Sequence, residues 1–592
     1  MSSPPNLIQA LEESQRASTE HAEDIVQALS AEQRLQGARL FEALLATLGR
    51  NREQLNEIQQ RFFQHHLELW KRTIGRAEQD SPSEPVIAPE KNDRRFQAPE
   101  WQELPFFNYL KQSYLLNARW LAELVEAAPL DAAAKHKLRF FARQMTDAAA
   151  PANFPATNPE VLKLAQQTGG ESLLRGLDNL NADLKKGRIT MTDEAAFEVG
   201  RNLAATPGAV VFENDLMQLI QYAPLTDSVH ERPLLIVPPC INKYYILDLQ
   251  PDNSFVRHAI AQGHTVFMVS WRNTPADMGG VTWDEYLERG VIRAIDVALE
   301  ICGVEQLNLI GFCIGGTLLA PALAVLRARG RAPAASITLL TAMLDFSDVG
   351  DLAVFVDEAY VRKREQDFAQ GGVLNGKELA LTFSSLRANE LIWNYVVNNY
   401  LKGQKPDAFD LLYWNSDSTN LPGAMYVYYL RNTYLENNLR VPGKLAMCGV
   451  PVDLGTVTAP AYVLAAREDH IVPWKTAYQS TQLLGGQCEF VLTASGHIAG
   501  VVNPPAKKKR HFWLNPELTA DADKWLAGAA QQPGSWWTHW SRWLAQFSGG
   551  MVAARAPGSA DYPALEAAPG RYVKERCAEN TNNFRIQEGP HV

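Results

Sequence analysis

Leu307-Asn308-Leu309-Ile310-Gly311-Phe312-Cys313-Ile314-Gly315-Gly316-Thr317-Leu318-Leu319-Ala320 contains the change of rhythm that organises the rest of the chain. Leu307–Ile310 has the length and character of a buried strand, and the apolar run from Thr317 to Leu326 that of a buried helix. Between them lies G-x-C-x-G-G. Glycines on both sides of a central residue allow a tight turn in which strand and helix approach closely. A side chain at the centre is then presented above the sheet edge, the geometry of a nucleophile elbow, here with cysteine where serine is commoner.

Working outward, Pro233–Val237 and His264–Trp271 are continuous β-prone runs, and further ones occur at Ser336–Thr341, Ala461–Ala465 and Phe490–Leu492. Helical segments separate them. Strands buried on both faces carry such unbroken apolar runs, so the alternation predicts a mainly parallel sheet covered by helices. About 120 residues separate the run ending near Thr341 from the one starting at Ala461, too many for a simple crossover. That stretch is rich in Tyr, Trp and Asn, and residues 342–445 are expected to form a cap over the active-site edge.

The first 200 residues have helical periodicity instead. Phe41, Leu44, Leu45, Leu48, Leu55, Ile58, Phe62 and Leu69 recur at spacings of three, four or seven, with an interruption at Gly49. Residues 77–95 are rich in Pro, Ser, Glu and Asp, as a linker would be. A second helix is expected over Leu104–Ala127, carrying Phe106, Phe107, Tyr109, Tyr114 and Trp120. It is either a core face or a surface for a partner, a second subunit or an apolar phase. The expected domains are therefore 1–200, helical, and 201–592, α/β with its cap. The tail after Ser548 is Ala-, Pro- and Gly-rich and expected to be irregular, whereas Trp536–Trp543 is aromatic enough to anchor itself.

At 592 residues the chain exceeds a single core. A hydrophobic content of 46% with 21% charged residues describes a globular protein. The net charge of −10 argues against nucleic acid as a partner, and the run Lys507–Arg510 is most simply a solvated face. No stretch reaches the roughly 18 apolar residues of a membrane span. The N-terminus lacks a basic-then-apolar signal pattern. The six cysteines are scattered without a C-x-x-C pair, which argues against a zinc site or disulfide scaffold and for a reducing, cytoplasmic setting.

A cysteine elbow needs a base and an orienting acid. Asp469 follows the Ala461–Ala465 run, and His497, in Ser495-Gly496-His497-Ile498-Ala499-Gly500, follows the next. Both occupy C-terminal strand ends, where such sheets place their sites. Cys313, Asp469 and His497 thus form a candidate triad in the order nucleophile, acid, histidine. Asp345 is a competing acid, because it also follows a strand. His470 is a competing base, although a residue adjacent to Asp469 cannot easily receive its orienting bond. One oxyanion donor is expected from the backbone of Ile314 and a second from Cys240 or Ile241, since Pro238 and Pro239 have no N–H. A cysteine thioester lies close in energy to a thioester substrate, which suits acyl transfer to an alcohol.

At these residues the sequence resembles the class I poly(3-hydroxyalkanoate) synthases. The resembling segments are VPPCINKYYILDLQP (237–251), GHTVFMVSWRN (263–273), GFCIGGT (311–317), NYVVNNYLKG (394–403), REDHIVPW (467–474), SGHIAGVVNPPAK (495–507) and APGRYVK (568–574). They fall within residues 150–575, and the extreme N-terminus matches poorly. The resemblance implies an α/β-hydrolase fold with an inserted cap, behind a helical N-terminal domain. It implies polymerisation of (R)-3-hydroxyacyl-coenzyme A, mainly short-chain, with Cys313 acylated, His497 as base and Asp469 as acid. It also implies a homodimer acting at a polymer granule in the cytoplasm, with a granule-coating protein as a further partner. No metal or cofactor is implied, coenzyme A thioester being the substrate. Ala499 falls where the family tunes side-chain length, and Arg387 or the 507–510 run could meet the coenzyme A phosphates. The alternatives are a cysteine-dependent hydrolase of the same fold, either thioesterase or polyester depolymerase, and a non-enzymatic granule scaffold.

Overall fold

The computed structural model describes residues 52–75 and 84–577. They divide into two compact units, the described residues up to Asp193 with Leu381–Asp407, and Glu194–Ala380 with residues 408–577. Phe41, Leu44, Leu45, Leu48 and Gly49, the first part of the expected amphipathic stripe, lie outside the described residues.

The first unit is helical: α1 (Arg52–Gly75), α2 (Pro105–Ala127), α3 (Ala132–Ala148), α4 (Pro159–Gln167) and α5 (Glu171–Lys186). Its boundaries follow local chemistry. The Asp131 carboxylate accepts from Ala134 N–H, and the Asn158 side chain accepts from the N–H groups of Glu160 and Val161 ahead of Pro159. Gly187, at φ 68°, ends α5 in the left-handed region. Ile58 from the α1 stripe packs with Leu124, Val125, Leu138 and Ala142. The aromatic α2 is mainly a core face. Phe107, Tyr114 and Leu115 pack on Phe96 and Trp101, and Trp120 packs on the α1 cluster, while Phe106 stays 62% exposed.

Residues 381–407 fall inside the stretch expected as a cap, yet they belong to this helical unit. Their π-helical turns, Asn389–Trp393 and Val396–Leu401, bring Ala388, Ile392, Trp393, Val396 and Tyr400 onto Leu180 of α5. Tyr400 Oη donates to Asp183 at 2.8 Å. A Cβ on Gly176 of α5 would lie 1.8 Å from Tyr400 O, so the two backbones meet where only glycine fits.

The second unit is built on an eleven-stranded sheet. Its strands are β1 (Gly208–Glu213), β2 (Met217–Tyr222), β3 (Leu234–Val237), β4 (Val266–Trp271), β5 (Leu307–Phe312) and β6 (Ala334–Leu340). They continue with β7 (Ala461–Ala466), β8 (Cys488–Thr493), β9 (His511–Leu514), β10 (Ala530–Pro533) and β11 (Glu566–Ala567). The spatial order is β10-β9-β8-β7-β6-β5-β3-β4-β2-β1-β11. β4-β3-β5-β6-β7-β8 are parallel, and they are the six apolar runs of the sequence. The flanking strands pair antiparallel. β2, Met-Gln-Leu-Ile-Gln-Tyr, and β10, Ala-Gln-Gln-Pro, are mixed in polarity and leave no unbroken apolar run in the sequence, whereas Ala209–Phe212 of β1 is such a run outside the expected strands. Helices α6 (Phe255–Ala261), α7 (Arg293–Cys302), α8 (Ile314–Ala328), α9 (Trp474–Leu483), α10 (His497–Val501) and α11 (Trp537–Ala545) lie along the chain between or after the strands.

Trp536, Trp537 and Trp540 are buried and bonded at their indole nitrogens, which anchors α11 as expected. The tail after Ser548 is mostly irregular, but Met551–Ala553 pairs with Ser228–His230, and β11 pairs with β1. Among the described residues, no helix is long and apolar enough to cross a membrane.

Candidate active site

β5 leads straight into Cys313, which adopts φ 52°, ψ −128° before α8 begins at Ile314. That conformation is costly for a non-glycine residue and is held by its surroundings. Cys313 N–H donates to Leu340 O on β6 at 2.9 Å, and Gly316 N–H donates to Cys313 O at 2.8 Å. The flanking glycines are required by close approach. A Cβ on Gly311 would lie 2.4 Å from Gly316 Cα, and one on Gly315 would lie 2.2 Å from Val237 O. The second contact sets the α8 N-terminus against the loop that follows β3.

Asp469 lies just beyond β7, in a turn tied to the next loop by Arg467 N–H to Thr493 O and Glu468 N–H to Ser495 O. Its Oδ1 accepts from Ile471 and Val472 N–H at 2.8 and 2.9 Å, which leaves Oδ2 for His497 Nδ1 at 2.7 Å. The imidazole is 5% exposed and the carboxylate 0%. His497 opens α10, and a Cβ on Gly500 would lie 2.8 Å from Ala466 Cβ, so this helix needs glycine to sit against β7. Phe312 stacks on the imidazole at 5.7 Å and 22°. Burial alone would lower the pKa of His497. The Asp469 carboxylate, and after it the Cys313 sulfur, outweigh burial and raise it to about 10. With Nδ1 engaged by Asp469, Nε2 is the nitrogen left for the sulfur.

The competing acid and base are otherwise placed. Asp345 accepts from Ser347 N–H and Asn437 Nδ2 at 2.8 Å and pairs with Arg440 at 3.0 Å. Burial pushes its carboxyl up, but these partners prevail and hold it below the usual range. It pins the chain after β6 to residues 437–440. His497 rather than His470 carries the bond to Asp469.

Ile314 is the first residue of α8, where N–H groups have no intrahelical acceptor. Cys240 is buried and Ile241 half-buried in the loop after β3, and the loop is steadied by Trp271 Nε1 donating to Pro238 O at 2.9 Å. Ala499 is half-buried on α10, within one turn of His497. Arg387 belongs to the first unit, where it pairs with Glu390 at 2.6 Å. Residues 507–510 are exposed, and Lys507 donates to Asn253 at 2.6 Å.

Tyr429 and Tyr434 stand out in the sequence only as part of the Tyr-rich stretch expected as a cap. Their rings meet at 5.3 Å, both pack on Phe346, and Tyr429 stacks on Trp283 at 5.5 Å. Burial raises both phenols, and the neighbouring Cys313 sulfur contributes in each case. Leu430–Leu435 is π-helical, which brings residues five apart onto one face. A 3.6-residue period therefore hides the pair.

Two family models match the chain: "Poly-beta-hydroxybutyrate polymerase (PhaC) N-terminus" over residues 92–259 and "alpha/beta hydrolase fold" over 233–504. The chain is 56% identical to the poly(3-hydroxyalkanoate) polymerase subunit PhaC of Cupriavidus necator, over 88% of this chain and 89% of that one. It is 42% identical to the poly(3-hydroxyalkanoate) polymerase of Methylorubrum extorquens, over 92% of each. Among solved structures, a monoacylglycerol lipase of Paleococcus ferrophilus matches at 12% identity and TM-score 0.34, covering 56% of this chain and 99% of that one.

Proposed function

The chain belongs to the poly(3-hydroxyalkanoate) polymerase family, on an α/β-hydrolase fold, and from that premise we propose that it polymerises (R)-3-hydroxyacyl-coenzyme A, mainly short-chain, in the class I manner. His497 holds the proton of the Cys313 thiol, so that the sulfur reacts as thiolate beside an imidazolium, and Asp469 on Nδ1 keeps Nε2 turned to the sulfur. The thiolate attacks the acyl carbon of the coenzyme A thioester, and the tetrahedral oxyanion is met by Ile314 N–H and by Cys240 or Ile241 N–H. Collapse expels coenzyme A thiolate, which takes the proton from His497 and leaves an acyl-Cys313 thioester. The 3-hydroxyl of that or another acyl unit, its proton taken up with help from His497 and Asp469, then attacks a thioester carbonyl; the oxygen ester forms as the C–S bond breaks, and the expelled thiolate, of Cys313 or coenzyme A, takes the proton back. No metal or organic cofactor enters this scheme.

The observation that supports it is the Asp469–His497 bond of 2.7 Å beside the Cys313 elbow. Water must be kept from the thioester, or polymerisation becomes hydrolysis. The aromatic group of Trp283, Phe346, Tyr429 and Tyr434 is suited to that exclusion. Side-chain-length selection at Ala499, phosphate binding by Arg387 or residues 507–510, homodimerisation, a granule-coating partner and a cytoplasmic granule surface as the working place belong to the same reading.

Supplying (R)-3-hydroxybutyryl-coenzyme A should release coenzyme A and deposit insoluble polymer, and Cys313→Ala should abolish both. Coenzyme A release with only free 3-hydroxy acid would mark a hydrolase. Polymer synthesis by the Cys313→Ala chain would sink the assignment.

A further inference from the structure

The oxyanion loop is held from behind by two segments far from it in sequence. Thr419 Oγ1 lies 2.8 Å from Cys240 O and 2.6 Å from Ile241 O, so its single proton is shared between the two carbonyls. Thr419 N–H also reaches Ile241 O at 3.3 Å, and Asn242 bridges Ser418 antiparallel. A peptide group is planar, so the plane that carries Cys240 O carries Ile241 N–H on its opposite edge. Fixing the carbonyl fixes the direction of that N–H.

The second segment is the C-terminal stretch. Lys243, with a side chain 2% exposed, pairs with Asp417 at 2.9 Å and donates to Val573 O at 2.8 Å and Glu575 O at 2.6 Å. Three acceptors match the three protons of a buried ammonium, as a group in that position requires. Tyr245 Oη donates to the other Asp417 oxygen at 2.9 Å, and Cys577 Sγ lies 3.1 Å from Ser418 O. The loop, residues 417–420 and residues 573–577 therefore form one fastened unit with the Cys240–Ile241 peptide at its edge.

We propose that Thr419 is a positioning residue for acyl transfer, its hydroxyl setting the Cys240–Ile241 peptide so that Ile241 N–H serves the oxyanion, with residues 573–577 backing it through Lys243. This rests on the acyl-transfer reading above, and it selects Ile241 over Cys240 as the second donor. Removing one oxyanion donor outright costs roughly a hundred- to thousandfold in turnover, so misaiming one should cost less.

The test is steady-state kinetics of the full chain with (R)-3-hydroxybutyryl-coenzyme A, with coenzyme A release followed by chromatography. Thr419→Val keeps the volume and loses the hydroxyl. It should lower kcat by about ten- to hundredfold while KM and the unfolding midpoint stay put. Thr419→Ser should restore most of kcat. A Val variant with kcat within about twofold of the parent, or a loss carried by KM alone, would overturn the proposal. If the Val variant also loses stability, the Ser variant decides: recovery of kcat supports the role, and no recovery overturns it. Cys313→Ala run alongside separates the two readings. Coenzyme A release that survives in it removes the acyl-enzyme premise and this inference together. Release that is abolished in it while Thr419→Val stays fully active removes the inference alone.

Discussion

Cys313 occupies a backbone conformation that its neighbours impose, and the arrangement of Asp469 and His497 is set by single atoms. Asp469 spends one oxygen on two backbone N–H groups and the other on His497. Burial opposes a charged imidazole, so the elevated pKa depends first on that carboxylate and then on the Cys313 sulfur. Asp469→Asn should therefore lower the His497 pKa by more than Cys313→Ala does, as an NMR titration of the imidazole would measure. Asp469→Asn should also reduce coenzyme A release by about a thousandfold or more, through the wrong tautomer. The pH dependence of stability has a definite sign. The folded chain keeps on His497 a proton that the unfolded chain loses near 6.5, so this contribution is complete below about pH 6.5 and is lost as pH rises through about 10. Unfolding midpoints of the parent and of His497→Gln should converge across that range. Gly315→Ala places a methyl 2.2 Å from Val237 O. It should destabilise the second unit by about 1–3 kcal/mol, read from denaturant unfolding, and reduce activity by displacing the α8 N-terminus.

At the scale of elements, α10 carries the histidine but is only five residues long. Such a helix has little stability of its own. It is held by Gly500 against β7 and by two indoles: Trp536 Nε1 donates to Gly500 O and Val501 O at 3.0 and 3.1 Å, and Trp537 Nε1 donates to Val501 O at 2.9 Å. Trp536→Phe should cost about 1 kcal/mol or somewhat more for the lost bonds and should lower activity through the His497 helix. Trp540→Ala, which removes a fully buried indole bonded to Thr338 at 3.0 Å, should cost about 3–5 kcal/mol. Urea unfolding of both variants, with coenzyme A release measured in parallel, distinguishes the local effect from the global one. The Trp-rich segment was legible as an anchor in the sequence. That it holds the histidine was not, because the indoles act on carbonyls some 35 residues away.

Over the whole molecule, the two units do not follow chain order. Residues 381–407 complete the helical unit, whose Leu180, Trp393, Val396 and Tyr400 form one cluster. A chain of residues 194–592 keeps 381–407 but lacks the helices that cover its apolar side. It should be recovered largely aggregated, and co-expression of residues 1–193 should restore a soluble complex on size-exclusion chromatography. A well-behaved monomer from residues 194–592 alone would contradict this account of the first unit.

The sequence by itself determined the parallel centre of the sheet, the elbow and the chain order of Cys313, Asp469 and His497. Buried parallel strands must be apolar throughout, and an elbow must have small neighbours, so both leave local marks. Tertiary structure alone decided the rest. Asp469 is the carboxylate bonded to His497, whereas Asp345 is taken up by Asn437 and Arg440. Tyr429 and Tyr434 share a face because a π-helical turn replaces the expected period. Residues 381–407 leave the expected cap because their apolar face fits α5 at Gly176. The Cys240–Ile241 peptide is aimed by a threonine almost 180 residues away in sequence. Each of these depends on contacts between segments remote in the chain, and such contacts leave no periodicity to read.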